Sequence, residues 1–276
     1  MKIGFIGAGK AGTSLGIHFM KNGIALSGYY SKSKNSSKQA ADYTKSTAFS
    51  NLDQVVANSD MIFVTTPDGI IEQIAQILSE LDISTKILCH CSGSLSSEIF
   101  SCTNGIKVSA HPMLSISSKN IDMSKAFFTL EGDVVGLEAL AEIFKKTKNK
   151  TIVIKSESKI KYHCAASLAS NLMIALAEKS IKMLKDCGFE RKSAIELLGP
   201  LMENNIKAIC ENGTVGALTG PVERCDKDTV AAHLDILDEK DKEIYRLLSL
   251  ELINVAREKN KERNYSSLKK LLEEVK

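Results

Sequence analysis

"MKIGFIGAGKAGTSLG", residues 1–16, decides how this chain is read. Gly7, Gly9 and Gly12 spell G-x-G-x-x-G between an apolar run (Ile3, Phe5, Ile6) and an amphipathic segment from Ala11 to Met20. In the order strand, glycines, helix, each glycine has its own task. Gly7 allows the tight turn, Gly9 lets a pyrophosphate approach the backbone, and Gly12 lets the helix pack close to the strand. At the helix start, from Lys10 and Ala11 onward, backbone N–H groups lack intrahelical partners and suit an anion. The expectation is a dinucleotide cradle. The alternative is a strand–helix turn with no ligand.

The next apolar run, "IALSGYY", ends near Tyr30. An NAD-type site places Asp or Glu there, about 20 residues beyond the glycines, to accept from the ribose 2′-hydroxyl. This chain offers Ser31, Lys32, Ser33 and Lys34 instead. Hydroxyl and ammonium groups attract a 2′-phosphate that an acid would repel. The expected coenzyme is therefore NADP(H); the alternative is that these lysines only solvate a loop. Further on, "VTTPDGII" follows another apolar run, and Thr65, Thr66 and Pro67 are expected to line the nicotinamide-ribose side. Pro67 alone also suits the start of a helix.

The alternation continues. "KIGFIG", "IALSGYY", "DMIFVTT", "KILCHCS", "IKVSAH", "KAFFTL" and "TIVIK" read as strands, while "AGTSLGIHFMKNG", "LDQVVANS", "GIIEQIAQILSEL" and "GLEALAEIFKKT" read as helices between them. Strands alternating with helices imply a mainly parallel sheet. After Lys155 the strand signals cease, and residues 157–188 form one long helical pattern that Gly188 suits as a cap. Breaks follow at Gly213, Gly220–Pro221 and around Asn264. The expected class is α/β, with a Rossmann-type parallel-sheet domain over 1–155 and an all-helical domain over 156–276.

Composition narrows the options. A length of 276 residues suits two domains, and 43% apolar residues suffice for a core. No stretch approaches the ~18 apolar residues of a membrane helix, and the N-terminus lacks the pattern of a signal peptide. A net charge of +3 without a basic, aromatic-interleaved stripe gives no case for nucleic acid. Seven cysteines without CxxC pairs argue against a disulfide framework. Reduced thiols in a cytoplasmic protein are expected. "CHC" at 89–91 has no second ligand cluster at zinc-site spacing, so no metal is expected.

Four segments concentrate chemistry. "HCSG" offers His90 and Ser92 after one strand, and "HPM" offers His111 after the next. Either histidine is a candidate for nicotinamide or substrate contact; a loop-bracing role is the alternative. On the long helix, His163, Ser167 and Asn171 recur at i, i+4 and i+8 and share a face. Buried polar groups need partners, so this stripe among alanines points to a site or to a helix–helix network. Lys161 lies about 200° from His163, whereas Lys159 lies on the stripe and is a second candidate proton donor. In "LTGPVERCDKDTVAAHL", Asp226 is expected to cap the start of a helix. Arg224 is a candidate for a substrate carboxylate, or else pairs with Asp226 or Glu223.

"GFIGAGKAGTSLG", "TTPD", "HCSG", "AHPM", "YHCAASLASN" and "TGPVERCDKDT" occur in an order that resembles the alternative, PanG-type ketopantoate reductases, within the 6-phosphogluconate-dehydrogenase-like group. The resemblance covers nearly the whole chain. It implies an N-terminal NADP-binding domain, a helical C-terminal domain, an active site in the cleft between them, and reduction of 2-dehydropantoate to pantoate on the route to pantothenate. In the better-known ketopantoate reductases the long helix carries Lys and then Asn at four-residue intervals. Here His163 stands at the Lys position, Ser167 at the first Asn and Asn171 at the second. Cys91 and Ser92 stand where the loop after the fifth strand usually offers Asn.

The resulting expectation is a keto-acid reductase. His163 donates the proton, Asn171 orients the substrate, and Ser167, Arg224 and His111 contact it. The coenzyme is held by Gly7, Gly9, Lys10, Ala11, Gly12, Ser31, Lys32, Ser33, Thr65, Thr66, Pro67, His90 and Ser92. The expected partner is a small 2-keto acid, with a homodimer through the helical domain and neither nucleic acid nor membrane. Two alternatives stand beside it: a pyrroline-carboxylate-reductase-like enzyme acting on a cyclic imine, and a dinucleotide-sensing protein without turnover.

Overall fold

The structure, a computed structural model, describes residues 1–274. It divides into two compact units, Met1–Ala175 and Leu176–Lys276.

The first unit is built on an eight-stranded sheet in the order β3-β2-β1-β4-β5-β6-β7-β8. Its strands are β1 (Ile3–Ile6), β2 (Leu26–Tyr30), β3 (Thr47–Ala48), β4 (Met61–Val64), β5 (Ile87–His90), β6 (Ile106–Met113), β7 (Phe127–Gly132) and β8 (Thr151–Val153). The first six run parallel, as the alternating pattern predicts. β7 runs antiparallel to β6, and β8 parallels β7. The reversal follows from the connection. Residues 114–126 carry no helix, and a parallel return needs a crossover, usually a helix.

Helices α1 (Lys10–Lys21), α2 (Lys34–Thr44), α3 (Leu52–Asn58), α4 (Asp68–Ser79) and α5 (Val134–Thr147) cover the sheet. Alternation within each strand supplies both cores. Met61 and Phe63 of β4 join one cluster with Phe5, Phe19, Phe128 and Phe144. Ile62 and Val64 join the other with Val55, Ile71 and Leu78. α2 gives no sequence signal because its buried residues are Ser37, Ala40, Ala41 and Thr44, which make no apolar stripe.

The long helical pattern is α6 (Lys159–Ser167), a π-helical turn (Leu168–Leu172) and α7 (Met173–Asp186). The division between units falls inside this run, at residue 175 rather than near 155. The reason is Lys159. It is fully buried, and its Nζ donates to the Ser92 carbonyl at 3.0 Å and to Ser109 Oγ at 2.8 Å. α6 is thereby tied to the sheet.

The second unit contains α8 (Arg191–Ala217), α9 (Pro221–Arg224), α10 (Lys227–Ile236), α11 (Glu239–Lys259) and α12 (Ser266–Glu274). Non-helical Gly213 breaks the α8 run near its end. The core of this unit is Val222, Val230, Leu234, Ile253, Tyr265, Leu268 and Leu272. No helix among the described residues is long and apolar enough to cross a membrane.

Candidate active site

The parallel strands end at one sheet edge, and the first unit carries two clefts there, one lined mainly by the ends of β1, β2 and β4 with the loops after them, the other by the end of β6 together with α6 and the π-helical turn. The first cleft, about 510 Å³, is lined by Gly7, Gly9, Ser31, Lys32, Thr65, Thr66 and Pro67, together with Ser36 and Lys119. Gly7 has a φ of +109°, a conformation open to glycine and strained for other residues. A Cβ at Gly12 would lie 2.6 Å from the Gly7 carbonyl oxygen and would collide with Thr65 Oγ1. Thr65 Oγ1 itself donates to that carbonyl at 2.8 Å and so ties β4 to the glycine loop. A Cβ at Gly9 would meet nothing within 4 Å. Cleft space thus begins at the Gly9 backbone, which is what a pyrophosphate needs. Lys10 and Ala11 are the first residues of α1 and contribute N–H groups that the helix leaves unpaired.

Not every expected coenzyme contact lines this cleft. Ser33 is the N-cap of α2, and its hydroxyl accepts from the Ser36 N–H at 3.3 Å. His90 is fully buried; its Nδ1 accepts from the Ser92 N–H at 3.2 Å, so the ring braces the loop that follows. Burial, with the nearby Lys159 charge, lowers its pKa to about 4. Ser92 is also structural. Its hydroxyl donates to Asp68 Oδ2 at 2.7 Å and accepts from the Leu95 N–H at 3.1 Å. Burial pushes the Cys91 thiol up to about 12, so it is no nucleophile at neutral pH.

The second cleft, about 400 Å³, is lined by His111, Ser115, His163, Ser167, Asn171 and the apolar groups Met113, Leu114 and Ile174. The predicted helix stripe therefore faces a cavity. The His111 and His163 rings lie 6.0 Å apart, centre to centre. Asn171 sits in the π-helical turn, a feature frequent at functional sites. His111 Nδ1 lies 2.8 Å from the Tyr162 hydroxyl. Burial, the Lys159 charge and His163 together lower the His111 pKa to about 4. His111 is therefore an uncharged imidazole at neutral pH, suited to hydrogen bonding rather than to proton donation. The loop after β5 joins the two clefts. Ser92 bonds Asp68, next to Pro67 of the first cleft, while a Cβ at Gly93 would meet His111 Nε2 at 3.0 Å and collide with His163 of the second.

Two other candidates lie elsewhere. Lys159 is buried behind the cleft wall, with Ser109 linking it to Glu131. Burial lowers its pKa, while Glu131 opposes that shift. Lys161 is exposed. Arg224 belongs to the second unit, exposed at the end of α9, and makes no ion pair among the described residues. Asp226 caps α10 through Thr229, as expected, and Glu223 pairs with Arg263. Sequence reasoning missed Tyr162 and Lys119. Tyr162 stood beside His163 without any pattern of its own, and Lys119 lies far from the glycine loop in sequence.

The fold and first cleft define a Rossmann-like architecture, and residues 1–112 match the Rossmann-like domain family. Residues 126–252 match a domain of unknown function, DUF2520. The chain is 29% identical to protein TM1727 from Thermotoga maritima, over 94% of this chain and 99% of that one, with a TM-score of 0.75. Pyrroline carboxylate reductase from Plasmodium falciparum, solved with NADP bound, shares the fold at 16% identity over 95% and 97% of the two chains, TM-score 0.59. An imine reductase from Myxococcus stipitatus in complex with NADP+ does so at 17% identity over 95% and 94%, TM-score 0.60. No curated protein matches the chain.

Proposed function

We propose that the chain is an NADP(H)-dependent oxidoreductase that reduces the carbonyl of a small 2-keto acid, with 2-dehydropantoate as substrate and pantoate as product. One observation carries this reading. An acid-free glycine cradle and a cleft with two imidazoles, serine hydroxyls and an amide lie in the same unit, joined by the loop after β5. The coenzyme, when bound, supplies a hydride. Gly7, Gly9 and the start of α1 hold its pyrophosphate, and Ser31 with Lys32 holds its 2′-phosphate. Asn171 and Ser167 donate to and orient the substrate, the neutral His111 N–H holds a substrate oxygen, and His163 delivers the proton to the forming alkoxide. The choice of 2-dehydropantoate rests on the resemblance carried by "YHCAASLASN" and "TGPVERCD".

The shared fold with pyrroline carboxylate and imine reductases supports a second reading, reduction of a cyclic imine. A panel of 2-keto acids and cyclic imines, assayed by NADPH consumption, separates the two. Turnover of 2-dehydropantoate at least 100-fold above the imines is expected. The reverse preference overturns the keto-acid assignment, and NADPH binding without any turnover points to a sensing role.

The helical half also supports a homodimer. Of the 27 residues of α8, only Ala194 is buried, and Leu197, Leu201, Ile206 and Ile209 are exposed. This many exposed large apolar side chains on one helix is costly in a monomer, and a second copy would cover part of them. Sedimentation of the full chain at micromolar concentration is expected to give twice the chain mass, with Leu201→Glu shifting it to the monomer. A monomeric wild type refutes the dimer.

A further inference from the structure

Lys119 lines the first cleft together with Lys32, yet it comes from the helix-free connection between β6 and β7, 80 positions beyond Gln39, the α2 residue it bonds. Its placement is built in. Ser14, a fully buried residue of α1, donates to the Ser118 carbonyl at 3.2 Å and accepts from the Ile121 N–H at 3.3 Å. One hydroxyl thus clips the connection to the helix that follows the glycine loop, with Lys119 between the two clip points. Lys119 is half-buried, and its Nζ rests on Gln39 Oε1 of α2 at 3.3 Å. That is a long, neutral-acceptor bond for an ammonium, easily exchanged for a charged one. No Asp or Glu lines this cleft. The start of α2, with its positive dipole end, lies in the same corner through Ser36.

We infer that Lys119 is a specificity-determining residue, the second cation of a two-lysine clamp that recognises a phosphomonoester on the adenosine ribose. The inference rests on the NADP(H) reading above and adds a group from outside the second-strand loop. Lys32 approaches that phosphate from the end of β2, and Lys119 approaches it from the connection clipped by Ser14. A dianionic group held by two ammonium ions loses roughly tenfold in affinity for each one removed.

The test uses the full chain and calorimetric titration with four ligands: NADPH, NADH, 2′,5′-ADP and 5′-AMP. The wild type is expected to prefer NADPH to NADH and 2′,5′-ADP to 5′-AMP. Lys119→Gln is expected to weaken NADPH and 2′,5′-ADP about tenfold and to leave NADH and 5′-AMP within twofold. Ser14→Ala is expected to weaken the same two ligands by a smaller factor and to add nothing to Lys119→Gln in the double variant. Equal weakening of all four ligands in Lys119→Gln, or no weakening at all, overturns the clamp while leaving the coenzyme assignment standing. A wild type without preference for the 2′-phosphorylated ligands overturns the coenzyme reading and the clamp with it.

Discussion

His163→Asn is expected to lower kcat with the preferred substrate by two to four orders of magnitude, the usual worth of a positioned proton donor. NADPH affinity and thermal stability are expected to stay near wild type, because the residue is exposed on the wall of the second cleft and its ring makes no hydrogen bond among the described residues. The rival donors are weaker on physical grounds. Burial and the Lys159 charge lower the His111 pKa to about 4, so it is the uncharged imidazole at neutral pH and a poor acid. Lys159 is buried, and its ammonium is directed at the Ser92 carbonyl and Ser109 Oγ rather than at the cleft. Turnover within threefold of wild type would remove His163 from the chemistry and return attention to Tyr162, whose hydroxyl touches His111.

The second large effect is acid destabilisation of the sheet unit. Folding lowers the His90 pKa from 6.5 to about 4, through burial first and the Lys159 charge second. Between those two values the unfolded chain binds the proton and the folded chain does not. Stability is therefore complete above about pH 6.5, declines as pH falls, and has lost the whole contribution once pH passes below about 4. A displacement of this size corresponds to about 3 kcal/mol for His90 alone. His111 adds in the same direction over the same window. Glu131 extends the loss below it. Burial raises its pKa, but bonds from Ser156, Ser97 and Ser109 outweigh that, so its stabilising effect disappears as it protonates. Melting curves from pH 7.5 to 4 are expected to fall by roughly 6–12 °C for the His90 part. His90→Gln is expected to flatten that slope. A melting temperature constant across the window would show that His90 is charged or solvated in the folded chain.

Seven of the eight strands read from sequence because they are short apolar runs, whereas β3 does not, being only two exposed residues, Thr47–Ala48. The glycine cradle reads equally well, since each glycine answers a local demand: a positive φ at Gly7 and a close approach at Gly12. The helix stripe was legible because His163, Ser167 and Asn171 repeat at helical spacing, and all three do line one cleft. His90 and Ser92 were not legible as braces. Their partners, the Ser92 N–H and the Asp68 carboxylate, are chosen by how the loop folds back. Reduced to residue types, "HCSG" looks the same whether it faces a ligand or the protein.

What the sequence by itself determined is therefore whatever depends on periodicity and on single-residue backbone freedom: the alternating sheet domain, the glycine turn, the long helix and its polar face. Tertiary structure decided whatever depends on which distant segments meet. It buried Lys159 against Ser109 and fixed the division of the units inside the helix; it reversed β7, and it carried Lys119 to the cradle on the Ser14 clip. The physical reason is one of range. Backbone preference and side-chain spacing act over a few residues, whereas desolvation and charge pairing act between any groups the folded chain brings together.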